Sequence, residues 1–173
     1  AAAVAEAILL MKLTGVSLHL CRISCLESLM IIRNAQAAGL PVTADVAIHQ
    51  LFFDENSVHN FNSDFHVMPP FRAYEDMIAL QKALSEDTLT AICSDHQPHN
   101  RDAKQAPFYN TQPGISSIEL LLPLLIELVN LNLMDLNLAI SKVTINPAKI
   151  LGIDAGIIQK GSQADICILK KEE

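Results

Sequence analysis

The feature that most constrains this chain is a repeated switch in hydrophobic periodicity. Short apolar runs of strand length alternate with longer stretches at helical spacing. Residues 2–13 read as a helix and VSLHLCRI (16–23) as a short buried strand. Residues 26–38 follow as a helix that Gly39 stops and Pro41 keeps from continuing. PVTADVAI is the next strand, 72–84 the next helix, and LTAIC (89–93) a third buried strand. The strongest helical pattern covers 115–130, with Pro123 inside it as a kink. Shorter helices follow at 136–143 and, begun by Asn146 and Pro147, at 148–151. Strands separated by helices form parallel sheets, either a barrel or an open doubly wound sheet. The tail differs: Gly156, Gly161 and the apolar run 164–169 predict two short strands with no helix between them.

Half of the 173 residues are hydrophobic and only 18% are charged, enough apolar material for a real core. Twelve Lys and Arg against nineteen Asp and Glu give a net charge of −7, the wrong sign for a surface that neutralises phosphates or anionic lipid. Nucleic acid and membrane are therefore excluded as expected partners. No apolar run approaches the roughly 20 residues of a membrane span, and the opening AAAVAEAILLMKL carries no basic leader, so a soluble, cytoplasmic protein is expected. The cysteines Cys21, Cys25, Cys93 and Cys167 lack C-x-x-C spacing and read as reduced core residues.

Chemistry gathers where the strands end. LHLCRIS ends on Arg22 and Ser24, ADVAIHQ on Asp45 and His49, and AICSDHQPH on Asp95, His96 and His99. Two long irregular segments, 49–70 and the stretch up to about Gly114, follow two of these ends, and connections of that length commonly carry function. Both parallel architectures place their sites at the carboxyl ends of strands. Asp and His converging there suit a divalent metal that generates hydroxide from water. Any one of these residues alone reads as a loop histidine or a turn cap. Three successive strand ends bearing them favour a site.

S-D-H-x-P-H around Asp95, His96, Pro98 and His99 resembles the D-H-x-P-H signature of dihydroorotases in the cyclic amidohydrolase superfamily. LPVTADVAIHQLFF is similar to that family's "lPVTaEVtpHHLll", HVMPPFR to "kvNPPLR", INPAKILGI to "tiNPAriLGl", and KGSQADICIL to "vGadADlvif". The matches run in order along nearly the whole chain. The resemblance implies an α/β fold: 1–152 as the C-terminal half of a TIM-type (β/α)8 metal-dependent hydrolase barrel, and 153–173 as short strands of a composite β-sandwich. It implies interconversion of N-carbamoyl-aspartate and dihydroorotate in pyrimidine biosynthesis, with Zn2+ as the cofactor. His49 and Asp95 would be metal ligands, Asp95 also the proton shuttle, and His99 with the backbone at Pro113 and Gly114 would hold substrate.

Three positions depart from the family pattern. Arg22 stands where the resemblance puts a metal-ligand histidine, and an arginine has no lone pair to give a metal at ordinary pH. Met68 replaces a pocket asparagine, and Gln50 a second histidine. Arg22 is expected instead to pair with Asp95. The family's H-x-H ligands, substrate arginine and bridging lysine belong to the first half of the barrel and have no counterpart here. A closed barrel of about 250 residues therefore needs a missing N-terminal half or a rearranged homodimer. Besides a dihydroorotase, the residues admit a non-catalytic dihydroorotase-like subunit that scaffolds aspartate transcarbamoylase, and an allantoinase- or hydantoinase-like cyclic amidase.

Overall fold

Among the described residues, three short parallel strands carry the architecture, in the order β1–β2–β3. A computed structural model of the chain describes residues 1–170. In chain order the elements are α1 (Ala2–Thr14), β1 (Leu18–Leu20), α2 (Leu26–Ala37), β2 (Val42–Ala47), α3 (Tyr74–Ser85) and β3 (Ala91–Cys93). The one-turn α4 (Arg101–Lys104), α5 (Leu121–Asn130), α6 (Leu136–Val143) and α7 (Ile145–Leu151) complete them. His19 is in register with Thr43, and Asp45 with Ala91.

β2 is the centre of the sheet and the most buried strand: Val42, Ala44, Val46 and Ala47 are all within the core. A parallel strand covered on both faces has no solvent side, so β2 is mostly apolar, and its two polar residues, Thr43 and Asp45, both hydrogen-bond His19. Leu29 and Ile32 of α2, Leu80 and Leu84 of α3, and Leu125 and Leu128 of α5 close over it. Each such side chain contributes about 1.5–3 kcal/mol by leaving water. The helices are stopped and started by local chemistry. α1 ends at Gly15 in the left-handed conformation (φ 72°). Asp135 caps α6 by accepting the Leu138 N–H at 2.9 Å. The start of α2 is capped from a distance, by the Asp76 carboxylate on the Leu26 N–H at 2.7 Å.

Several sequence expectations are corrected. β1 is shorter than 16–23 because Arg22 takes a positive φ (57°) and turns the chain out of the sheet. The helix expected over 115–130 begins only at Leu121, after a 3-10 turn at Ile118–Leu120. The Ser117 and Ile118 amides are drawn to His96 Nδ1 instead of continuing a helix. Pro123 thus falls in the first turn of α5, where an N–H has no intrahelical acceptor, and kinks nothing.

The two strands expected in the tail are not formed among the described residues; Ile158 is 89% and Ile168 92% exposed. An alternating segment needs a neighbouring strand to satisfy its backbone, and no described strand lies beside it. The cysteines are all free, but Cys21 and Cys167 are exposed rather than in the core. Among the described residues no helix is long and apolar enough to cross a membrane.

Candidate functional site at the strand ends

Parallel strands in register bring the ends of β1, β2 and β3 to one rim, and the ionisable residues named from the sequence meet there. The Asp45 carboxylate on β2 is the organiser. Its Oδ1 accepts the Arg22 backbone N–H at 2.7 Å and its Oδ2 lies 2.9 Å from His19 Nε2. The Cys93 thiol donates to Oδ1 at 3.5 Å. The grip on the Arg22 amide holds that residue in its left-handed turn, a conformation that a non-glycine residue adopts at a cost of about 1–3 kcal/mol. From there the Arg22 guanidinium donates through Nη1 to Asp95 Oδ1 at 3.2 Å.

Asp95, itself at φ 47°, sits just past β3 with its side chain only 9% exposed. Gln97 Nε2 donates to the same oxygen, Oδ1, at 2.9 Å. His49 follows β2 directly, in a 3-10 turn at Ile48–Leu51, and is 1% exposed. Its ring stands edge-on to Phe71 with centroids 5.7 Å apart, and neither ring nitrogen has a hydrogen-bond partner among the described residues. Burial pushes its pKa down and the nearby Asp95 charge only opposes this, so the imidazole is neutral at neutral pH. Burial, and then the Asp45 charge, push the Cys21 and Cys93 thiols up, which keeps both protonated.

A second wall lies across the loops that follow. His99 Nε2 donates to the Pro113 carbonyl at 3.0 Å, and the Gly114 N–H donates to the His66 carbonyl at 2.7 Å. Lys104 Nζ binds the Gly114 carbonyl at 2.6 Å and the Ser63 carbonyl at 3.0 Å. Gly114 is required here: at φ 146° a Cβ would stand 2.5 Å from the Gln97 carbonyl oxygen. His99, Lys104 and Gly114 border a cavity of about 250 Å3 that also touches Asp64 and Ser116.

The structure therefore joins Arg22 to Asp95, places His49 beside them, and sets His99 and Gly114 on a separate cavity, with the Pro113 carbonyl hydrogen-bonded to His99. His96 has a structural duty: its Nδ1 accepts the Ser117 and Ile118 amides. Sequence reasoning missed His19, Gln97 and Lys104. His19 reads as one more residue of a buried strand, and only the register that sets it against Thr43 and Asp45 reveals it. His19, Cys21 and Asp45 place potential ligand atoms within 4.8 Å of one another, but the imidazole and carboxylate are already hydrogen-bonded.

Comparison with known proteins places this geometry. The model of the amidohydrolase family matches residues 2–173, and the chain belongs to that family. Within it the chain is dihydroorotase-like. It is 44% identical over 166 residues to a dihydroorotase-like protein of Pseudomonas putida, covering 96% of this chain and 39% of that relative. It is 38% identical to a dihydroorotase of Geobacter metallireducens, covering 97% and 40% respectively. The chain thus spans about two fifths of the length of these curated relatives.

Among solved structures it superimposes on L-hydantoinase (dihydropyrimidinase) from Arthrobacter aurescens with a TM-score of 0.87 at 25% identity. That match covers 93% of this chain and 37% of the other. Dihydropyrimidinase from Brevibacillus agri gives a TM-score of 0.87 at 24% identity, with the same coverage. The fold is accordingly part of a TIM-barrel hydrolase.

Proposed function

We propose that this chain forms the carboxyl-terminal half of the barrel in a dihydroorotase-like protein that interconverts N-carbamoyl-aspartate and dihydroorotate, with 153–173 contributing to a small β-sandwich. The observation that carries this reading is Asp95. It lies at the end of β3 with a nearly buried carboxylate, one oxygen taken up by Arg22 and Gln97. The other oxygen, Oδ2, makes no hydrogen bond among the described residues and is free to hold and pass a proton at a cyclic amide. His99 and the backbone at Pro113 and Gly114 form the substrate-holding wall in this reading.

The resemblance brings a zinc ion with it, and the residues present do not fit one. His49 offers two buried, unpartnered nitrogens, but the Asp95 carboxylate already carries the Arg22 guanidinium. A dication about 5 Å from that guanidinium would be repelled by about 7 kcal/mol at an effective dielectric of about 20. No step is therefore routed through a metal. The second reading, a non-catalytic subunit that scaffolds aspartate transcarbamoylase, is not favoured by the relatives; the Arg22–Asp95 pair bears only on the metal.

Elemental analysis of the purified full-length protein, with N-carbamoyl-aspartate cyclisation assayed under added zinc, separates the two. Turnover supports the enzyme. Absence of both bound zinc and turnover leaves the scaffold. In Arg22→His, a rise in retained zinc is expected; no rise would show that position 22 is not what limits metal binding.

A further inference from the structure

The place where a metal-ligand histidine was expected is lined by cations. A cavity of about 390 Å3 opens beside β1, bordered by Arg22, Arg72, Gln97, Met68, Pro69 and Pro70. Neither of its two charged lining groups is a carboxylate. Arg72 makes no side-chain hydrogen bond or ion pair among the described residues, and the Arg22 guanidinium spends one contact on Asp95. A guanidinium carries five N–H donors in a fork that matches a carboxylate. Most of the donors of both side chains are therefore uncommitted.

The walls are fixed rather than loose. The Arg22 backbone is held in its left-handed turn by Asp45. Buried Gln50 donates to the Pro69 carbonyl at 2.8 Å, tying the Met68–Pro70 wall to the end of β2. The Arg72 carbonyl accepts the Glu55 N–H at 2.7 Å. Met68, 57% exposed, and the two prolines give the cavity an apolar side opposite its donors. The volume lies in the range that suits small organic ligands rather than single ions.

We propose that this cavity binds a small organic carboxylate, its anionic group on the Arg22 and Arg72 guanidiniums and its body against Met68 and the prolines, without any metal ion. An anion thus takes the region in which a cation was expected. The inference rests on the dihydroorotase-like reading only for its choice of probe, N-carbamoyl-aspartate.

The test is calorimetric titration of the full-length protein with N-carbamoyl-aspartate in excess EDTA, repeated with inorganic phosphate. Saturable binding in EDTA is expected, weakened about tenfold or more in Arg72→Gln by the loss of charge-assisted hydrogen bonds. It should be unchanged in Arg101→Gln, a surface arginine outside the cavity. Arg72 is exposed, so its variant should fold, and an unshifted thermal midpoint would show that it does. Arg22→Gln, as the second variant, should weaken binding as well. No saturable binding in EDTA, or binding untouched by Arg72→Gln, overturns the proposal. Phosphate binding as tightly as N-carbamoyl-aspartate overturns the carboxylate assignment. Failure of the dihydroorotase reading would show itself separately, as absent turnover in the cyclisation assay with or without added zinc, because this titration does not depend on catalysis.

Discussion

The two walls of the strand-end rim are built differently. On the side of His99, Pro113 and Gly114, the loops are locked by main-chain contacts: His99 on the Pro113 carbonyl, Lys104 on the Gly114 carbonyl, and the Gly114 amide on His66. On the side of Arg22, a projecting guanidinium reaches Asp95 while the backbone beneath it is held by Asp45. The contrast shows that a wall built from carbonyls and amides depends on local conformation. A wall built from one projecting side chain takes its chemistry from that side chain and its shape from the backbone beneath.

The contrast can be broken most directly at Gly114. Gly114→Ala puts a methyl group 2.5 Å from the Gln97 carbonyl and 3.0 Å from His99 Nε2. A loss of stability on the order of 3 kcal/mol is expected, read from denaturant midpoints. A change under about 1 kcal/mol would mean that the loops yield, and that the wall is less rigid than its hydrogen bonds imply. Asp45→Asn comes next. It removes the charge that holds the Arg22 amide, and Asn must also satisfy His19, so a loss of about 2 kcal/mol is expected in the same unfolding experiment. An unaffected variant would show that the turn at Arg22 holds itself.

His49→Phe sharpens the comparison through pH. Unfolded histidine protonates near pH 6.5, as a rough reference, whereas buried His49 does so only at lower pH. As the pH falls through about 6.5, the unfolded chain takes up this proton first, so the folded state loses stability progressively down to the folded pKa. His49→Phe should flatten that part of the curve. The difference between urea midpoints of wild type and variant at about pH 7 and about pH 5 measures it; parallel curves would mean that folded His49 titrates as freely as unfolded. The smallest effect belongs to Arg22→Gln. The Arg22 side chain is 42% exposed, and a solvent-screened pair of this kind contributes about 0–1 kcal/mol. Stability should shift by no more than that while carboxylate binding falls. A large destabilisation would place Arg22 in the architecture rather than in the ligand wall.

Much of this was legible in the sequence, for reasons that can be traced to residues. The mostly apolar β2 and the polar residues toward its end could be read because burial on both faces leaves a local signature. The Arg22–Asp95 pairing could be read because Arg22 puts a cation where the resemblance calls for a metal ligand beside Asp95, and the structure forms that pair at 3.2 Å. Register was not legible: nothing in LHL announces that His19 lies opposite Thr43 and within reach of Asp45. The start of α5 was misplaced because His96, more than twenty residues earlier in the chain, claims the amides at 117 and 118. The tail strands are not formed among the described residues for the same non-local reason, since an apolar run shows readiness to pair but not the presence of a neighbour.

The hold of Asp45 on position 22 acts through the main chain, as 2.7 Å from a carboxylate oxygen to an amide. Such a clasp is indifferent to what projects from the Cα. Position 22 thus behaves as a socket, set by its neighbour on β2, into which one side chain or another can be fitted. Histidine and arginine codons are separated by a single base, so a metal-seeking residue and an anion-seeking one are adjacent in mutational space, with no intervening need to refold the rim.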